Sequence, residues 1–148
     1  MQNGDFHKKN SKKNNKTVLI VDDIPFVRKT LKQILINQGF KVVGEAETGE
    51  EAVQLYQDTQ PTIVTMDLVM PIMNGVEATK KILQFDPAAQ IVILSAMMQE
   101  NLVTEAILAG AKDYIMKPFQ TEDVARVLAQ VIKNSEEFNP NQEAGGAA

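Results

Sequence analysis

Residues 17–23 read Thr17-Val18-Leu19-Ile20-Val21-Asp22-Asp23, an aliphatic run that ends in two carboxylates. A run of about five β-branched and aliphatic residues favours a strand that is buried on both faces. Four similar runs follow and are also predicted to be buried strands: Lys41–Glu45, Thr62–Met66, Gln90–Leu94 and Lys112–Met116.

The segments between these runs have apolar residues at helical spacing. Five helices are predicted, at Pro25–Gln38, from the capping-box pattern Thr48-Gly49-Glu50-Glu51 onward, and at about Val76–Phe85, Glu100–Ala109 and Thr121–Lys133. Strands that alternate with helices predict an α/β fold, in which a five-stranded, doubly wound parallel sheet is covered by five helices.

The composition limits the classes of function. The chain has 148 residues, 44% of them hydrophobic and 23% charged, which is typical of one globular domain. It has no cysteine, and its one histidine is His7, so disulfides, thiolate metal sites and histidine-based triads are excluded. No run approaches the roughly 18 apolar residues of a membrane span, and we expect a cytoplasmic protein with no membrane partner.

The ends of the chain differ in composition from the middle. Residues 1–16 carry five lysines and one aspartate, although the whole chain has a net charge of −4. We expect a disordered basic tail at 1–16, one domain at 17–134 and a flexible tail at 135–148. Because residues 17–148 carry a net charge of about −8 and so offer no basic stripe, no nucleic-acid partner is expected.

Polar side chains follow four of the predicted strands. Asp22 and Asp23 follow the first predicted strand, and Asp67 follows the third. Ser95 lies at the end of the fourth predicted strand, and Lys117 follows the fifth. Each of these residues alone is explained by a turn or by the end of a strand. Together they lie at the carboxyl ends of the strands, which is where parallel sheets bind ligands. Three carboxylates there would repel one another unless a cation lay between them, and oxygen ligands suit Mg²⁺. A nucleophilic carboxylate, a metal and a lysine are the groups that phosphoryl transfer requires.

These motifs resemble a known family. Leu19–Asp23, Met66–Gly75, Ser95-Ala96 and Lys117-Pro118-Phe119 resemble the receiver domains of bacterial two-component response regulators, over about Lys16–Lys133. Three further stretches resemble the subgroup of single-domain chemotaxis regulators: Val64–Asp67, Ser95-Ala96-Met97 and Ala109–Tyr114. The resemblance implies a flavodoxin-like receiver fold.

The resemblance also implies a metal site and an acceptor. Asp67 would be the phosphorylation site, and Asp23 and Asp67 would bind Mg²⁺ through their carboxylates. The main-chain carbonyl of Val69 would be a further ligand, and Asp22 would act largely through water. Mn²⁺ is the alternative metal.

Other residues would transmit the signal. Ser95 occupies the position of the family's switch hydroxyl and Tyr114 that of its switch aromatic, although an aromatic in a strand is also explained by core packing. Lys117 matches the family's lysine, whose bond to the following proline, here Pro118, is typically cis.

The implied function is that of a switch and not of an enzyme acting on a separate substrate. A sensor histidine kinase would donate the phosphoryl group, and a flagellar motor switch or another chemotaxis component would bind the phosphorylated monomer. The alternative within the family is a relay intermediate that passes the group to another histidine protein. The apolar side chains of Val69 and Met97 cannot orient water, so slow self-dephosphorylation is expected.

Two other classes fit the sequence less well. A Mg²⁺-dependent phosphatase would need a second acid two residues beyond its nucleophile, and that residue is Val69. A nucleotide- or flavin-binding domain would need a glycine-rich loop after the first strand, which the residues from Val21 to Pro25 do not provide.

Overall fold

The computed structural model describes residues 16–137, so most of both predicted tails lies outside the described residues. The strands are β1 (Thr17–Val21), β2 (Lys41–Ala46), β3 (Ile63–Asp67), β4 (Ile91–Ser95) and β5 (Asp113–Met116). The helices are α1 (Pro25–Asn37), α2 (Gly49–Thr59), α3 (Gly75–Phe85), α4 (Glu100–Ala109) and α5 (Thr121–Glu137). The predicted number and order of elements are confirmed within this part of the chain.

The five strands form one parallel sheet in the order β2-β1-β3-β4-β5. From β1 the chain first adds β2 on one side and then adds β3, β4 and β5 on the other. The direction of strand addition therefore reverses between β1 and β3, which is the switch point where doubly wound sheets form ligand sites. The predicted doubly wound, flavodoxin-like architecture is confirmed.

Each face of the sheet is covered by helices. Helices α1 and α5 bury Leu31, Leu35, Val124 and Leu128 against one face, where the strands contribute mainly Val and Ile. On the other face, α2, α3 and α4 bury residues such as Ala52, Ile82 and Ala106. Successive residues of a strand point to opposite faces, so the central strands must be apolar along their whole length.

The expectation that all five strands are buried on both faces was wrong for two of them. Every residue of β1, β3 and β4 is buried, whereas β2 and β5 include exposed positions, among them Lys41, Glu45, Tyr114 and Met116. The reason is position in the sheet, because β2 and β5 are the edge strands and lack a neighbour on one side.

Helix boundaries follow from local hydrogen bonds. The Thr48 hydroxyl accepts a hydrogen bond from the Glu51 main-chain N–H at 3.1 Å and caps α2. The Glu51 carboxylate binds the N–H of Glu47 at 2.8 Å and not that of Thr48, so the return contact is displaced by one residue from the expected capping box. Helix α5 continues past the predicted end at Lys133 to Glu137.

Candidate functional site

The acidic residues meet because of the register between β1 and β3. Val21 pairs with Met66, so the residues that follow them, Asp22 and Asp67, lie side by side at the carboxyl edge of the sheet. Asp23 follows Asp22 in the turn that leads to α1. The structure therefore brings together the three carboxylates that the sequence indicated.

The geometry of these carboxylates fits a divalent cation. One oxygen from each of Asp22, Asp23 and Asp67 lies within 4.8 Å of the others. Asp22 is fully buried and Asp67 is 5% exposed. Their side chains are held by local main-chain donors, since the N–H of Ile24 binds Asp22 Oδ1 at 2.9 Å and the N–H of Leu68 binds Asp67 Oδ1 at 2.9 Å. An anionic, oxygen-only donor set of this kind suits Mg²⁺.

Lys117 lies against two of the carboxylates. Its Nζ is 2.8 Å from Asp22 Oδ2 and 3.3 Å from Asp67 Oδ1. Its main-chain N–H donates to the carbonyl oxygen of Ser95 at 2.7 Å, and its bond to Pro118 is cis, as the resemblance implied. Burial opposes the charge of Lys117, but the hydrogen bond to Asp22 and the two carboxylate charges outweigh burial and raise its pKa.

The pKa of Asp67 is raised to about 6, and burial is the largest cause of the rise. The charge of Asp22 adds to this rise, whereas the ammonium of Lys117 opposes it. Asp67 is therefore held in a position where its negative charge is unfavourable unless further positive charge is bound.

This shift predicts how the stability of the metal-free protein depends on pH. Between pH 4 and about 6, folded Asp67 keeps a proton that the unfolded chain has already lost, so its contribution to the free energy of unfolding falls as pH rises. We expect Asp67→Asn to be more stable than the wild type at pH 7 by up to about 3 kcal/mol, and this advantage to vanish near pH 4.

Urea unfolding in the presence of a chelator, repeated from pH 4 to 7, measures this difference. Asp58→Asn is the matched control, because Asp58 is an exposed carboxylate on α2 and should give a nearly constant difference from the wild type. An Asp67→Asn variant no more stable than the wild type at pH 7 would contradict the argument.

The two predicted switch residues lie on the β4–β5 side of the sheet, and Ser95 directly follows Leu94, the residue of β4 that pairs with Asp67. Ser95 ends β4 and is 1% exposed, whereas Tyr114 on β5 is 45% exposed. Core packing therefore does not account for Tyr114. Both residues line one groove, together with Val103, Ile107 and Leu108 of α4.

Two apolar side chains lie in the loops that follow β3 and β4 at the carboxyl edge of the sheet. Val69 lies in the loop after Asp67 and is 53% exposed, and Met97 lies in the loop after Ser95 and is 70% exposed. Both side chains are therefore open to solvent at the carboxyl edge of the sheet.

Sequence reasoning missed one residue beside the site. Arg28 of α1 donates from Nη1 to the main-chain oxygen of Asp22 at 2.6 Å, and its side chain is 12% exposed. Its only signal in the sequence is its position in the helix that starts directly after Asp22 and Asp23. That position places a long side chain within reach of the turn.

No helix among the residues that the structure describes has the length and apolar character needed to cross a membrane.

Known proteins share this sequence and fold. Residues 18–129 match the family model for the response regulator receiver domain. The chemotaxis protein CheY of Thermotoga maritima is 52% identical over 118 residues, which cover 80% of this chain and 98% of that protein. The chemotaxis protein CheY of Bacillus subtilis is 48% identical over 115 residues, covering 78% and 96%.

One similar solved structure is a complex that contains beryllofluoride and Mg²⁺. The CheX–CheY–BeF₃–Mg²⁺ complex from Borrelia burgdorferi contains a chain that is 38% identical, with a TM-score of 0.75. The match covers 78% of this chain and 87% of that chain.

Proposed function

The chain belongs to the family of response regulator receiver domains, and from this membership and the geometry of its carboxylates we propose that Asp67 is the phosphoacceptor. The protein is a phosphoaccepting response regulator of chemotaxis, as its CheY relatives indicate. The observation that carries the assignment of Asp67 is its position at the end of β3, buried between Asp22 and Lys117.

The proposed reaction is a transfer between two side chains. An oxygen of Asp67 attacks the phosphorus of a phosphohistidine on a sensor kinase. The new bond joins this oxygen to phosphorus, the phosphorus–nitrogen bond breaks, and its electron pair stays on the imidazole. Positioning and charge stabilisation account for most of the catalysis in such transfers.

The residues around Asp67 have distinct proposed roles. Asp22, Asp23 and Asp67, with the carbonyl of Val69, would hold Mg²⁺, whose charge offsets that of the carboxylates and of the phosphoryl oxygens. The Mg²⁺ in the Borrelia complex supports this choice of metal. Lys117 already contacts Asp67, so its ammonium is placed to bind a phosphoryl oxygen through a charge-assisted hydrogen bond.

The proposed output is a change in binding to another protein. Ser95 and Tyr114 lie along the same groove, so a change at Ser95 on phosphorylation would be transmitted to Tyr114 and the surface of α4. We place the protein in the cytoplasm as a monomer. Its proposed partners are a sensor histidine kinase and a chemotaxis component such as the flagellar motor switch.

Binding to a purified motor switch protein tests this output directly. Beryllofluoride with Mg²⁺ mimics the phosphorylated state, and we expect it to tighten binding by about tenfold, a typical allosteric coupling. Asp67→Asn should show no response to beryllofluoride. Equal affinity with and without beryllofluoride would contradict this output, and transfer of the phosphoryl group to a second histidine protein would favour a relay instead.

The exposed apolar pair Val69 and Met97 predicts a long-lived phosphorylated state. Neither side chain can orient or deprotonate the water that attacks the acyl phosphate. We expect Val69→Asn combined with Met97→Glu to accelerate loss of the phosphoryl group several-fold, up to about tenfold, since one polar contact contributes about 1 kcal/mol.

The decay of phosphorylated protein after removal of the donor measures this rate. Leu108→Gln is the matched control, because Leu108 is 81% exposed but lies on α4, in the groove lined by Tyr114. A double variant that decays no faster than the wild type would show that other groups control the access of water.

A further inference from the structure

Arg28 makes a partly buried contact with the turn that carries two of the carboxylates. Its side chain is 12% exposed, and Nη1 donates to the main-chain oxygen of Asp22 at 2.6 Å. This oxygen belongs to the peptide group that joins Asp22 to Asp23. The guanidinium therefore holds the peptide from which both carboxylates project.

The other nitrogens of the same guanidinium bind Glu45 at the end of β2 and Glu47 directly after it. Nε is 3.2 Å from Glu45 Oε1, and Nη2 is 3.7 Å from Glu47 Oε2. A main-chain hydrogen bond of 3.0 Å, from the Asp22 N–H to the Ala46 oxygen, runs beside these ion pairs. Because the guanidinium is planar and its donors are fixed relative to one another, anchoring two of them to β2 also fixes the direction of the third.

We propose that Arg28 is a positioning residue of the cation site. It holds the Asp22–Asp23 peptide in the orientation that directs both carboxylates toward Asp67, and so increases affinity for a divalent cation. This inference rests on the proposed role of the three carboxylates as that site. Groups that orient metal ligands commonly change metal affinity by about 10- to 100-fold when they are removed.

The direction in which Mg²⁺ affinity changes when Arg28 is removed distinguishes a positioning role from a purely electrostatic one. Arg28 is itself a cation, so Coulomb repulsion alone predicts that its removal would strengthen binding of Mg²⁺. Its ion pairs with Glu45 and Glu47 reduce this repulsion. Positioning predicts the opposite result, which is weaker binding when the guanidinium is lost.

Calorimetric titration of Mg²⁺ into the metal-free protein tests the proposal. We expect Arg28→Met, which keeps an unbranched apolar stem, to weaken Mg²⁺ binding by about tenfold. The matched control is Lys32→Met, since Lys32 on the same helix binds Glu45 at 3.2 Å and is 45% exposed. This control should stay within about twofold of the wild type, while Asp23→Ala should lose most of the affinity.

Arg28→Lys provides a second variant if Arg28→Met does not fold. A lysine retains the positive charge but lacks the planar set of donors of a guanidinium. The Mg²⁺ affinity of Arg28→Lys should therefore fall between those of the wild type and Arg28→Met. Urea unfolding with chelator, performed in parallel, reports the stability of each variant without metal.

Several results would overturn the proposal. One is a loss of stability in Arg28→Met or Arg28→Lys with unchanged or tighter Mg²⁺ binding. Arg28 would then stabilise the fold without orienting the carboxylates. Another is equal weakening by Lys32→Met. If the wild type showed no saturable binding that depends on Asp23, both the cation site and the role of Arg28 would be wrong. If that binding were present but independent of Arg28, only the positioning role would be wrong.

Discussion

Replacing Gly75 by alanine is expected to destabilise the protein by about 3 kcal/mol, because the new methyl group has no space. A Cβ at Gly75 would overlap the main-chain oxygen of Asp67 and lie 2.9 Å from Cα of Leu68. These neighbours are backbone atoms of β3 and of the residue after it, and they are held further by a 2.8 Å hydrogen bond from the Gly75 N–H to the Leu68 oxygen. Relief of the overlap would therefore move α3 away from β3.

Gly39→Ala is the control for this prediction. Gly39 has φ of +92°, but a Cβ there would have no heavy atom within 4 Å. Its cost should be limited to backbone strain of about 1–2 kcal/mol. Chemical denaturation of both variants gives the comparison, and a Gly75→Ala variant that is no less stable than Gly39→Ala would show that the contact with β3 is not tight.

The sheet and the carboxylate cluster were predictable from sequence because both depend on local pattern and a general rule. Five aliphatic runs between helical segments indicate a parallel sheet, and residues that follow parallel strands meet at one edge. This rule predicts that Asp22, Asp23, Asp67 and Lys117 lie together. In the structure one oxygen from each of the three carboxylates lies within 4.8 Å of the others, and Lys117 Nζ contacts Asp22 and Asp67.

Exposure of the edge strands was not predictable in the same way. The run Lys41–Ala46 contains aliphatic residues, as the central strands do, but strand order decides which runs have a neighbour on each side. Tyr114 shows the same limit, because an aromatic residue in a strand fits both a core and a surface groove. Its 45% exposure follows from the position of β5 at the edge.

Arg28 was missed because its role depends on long-range contacts. In the sequence it is one polar residue of an amphipathic helix, where the default expectation is a solvated side chain. Its burial arises only when the end of β2 brings Glu45 and Glu47 beside the start of α1. No pattern of residue spacing in the sequence predicts the contact between Arg28 and these two glutamates.

Loss of the proposed acceptor should have the largest effect of all. Asp67→Asn is expected to abolish labelling by acetyl phosphate in the presence of Mg²⁺, because an amide cannot form the acyl phosphate. The variant keeps the size and shape of the side chain. It should also fold at least as stably as the wild type without metal, since burial raises the pKa of Asp67 and thereby opposes its charge.

Mass spectrometry of the intact protein after incubation with acetyl phosphate and Mg²⁺ is the most direct test of this assignment. Wild type and the surface control Asp58→Asn should each gain one phosphoryl group, and peptide mapping should place it on Asp67. Asp67→Asn should gain none. An adduct of undiminished yield on Asp67→Asn, or one mapped to another residue of the wild type, would contradict the assignment of Asp67 as the phosphoacceptor.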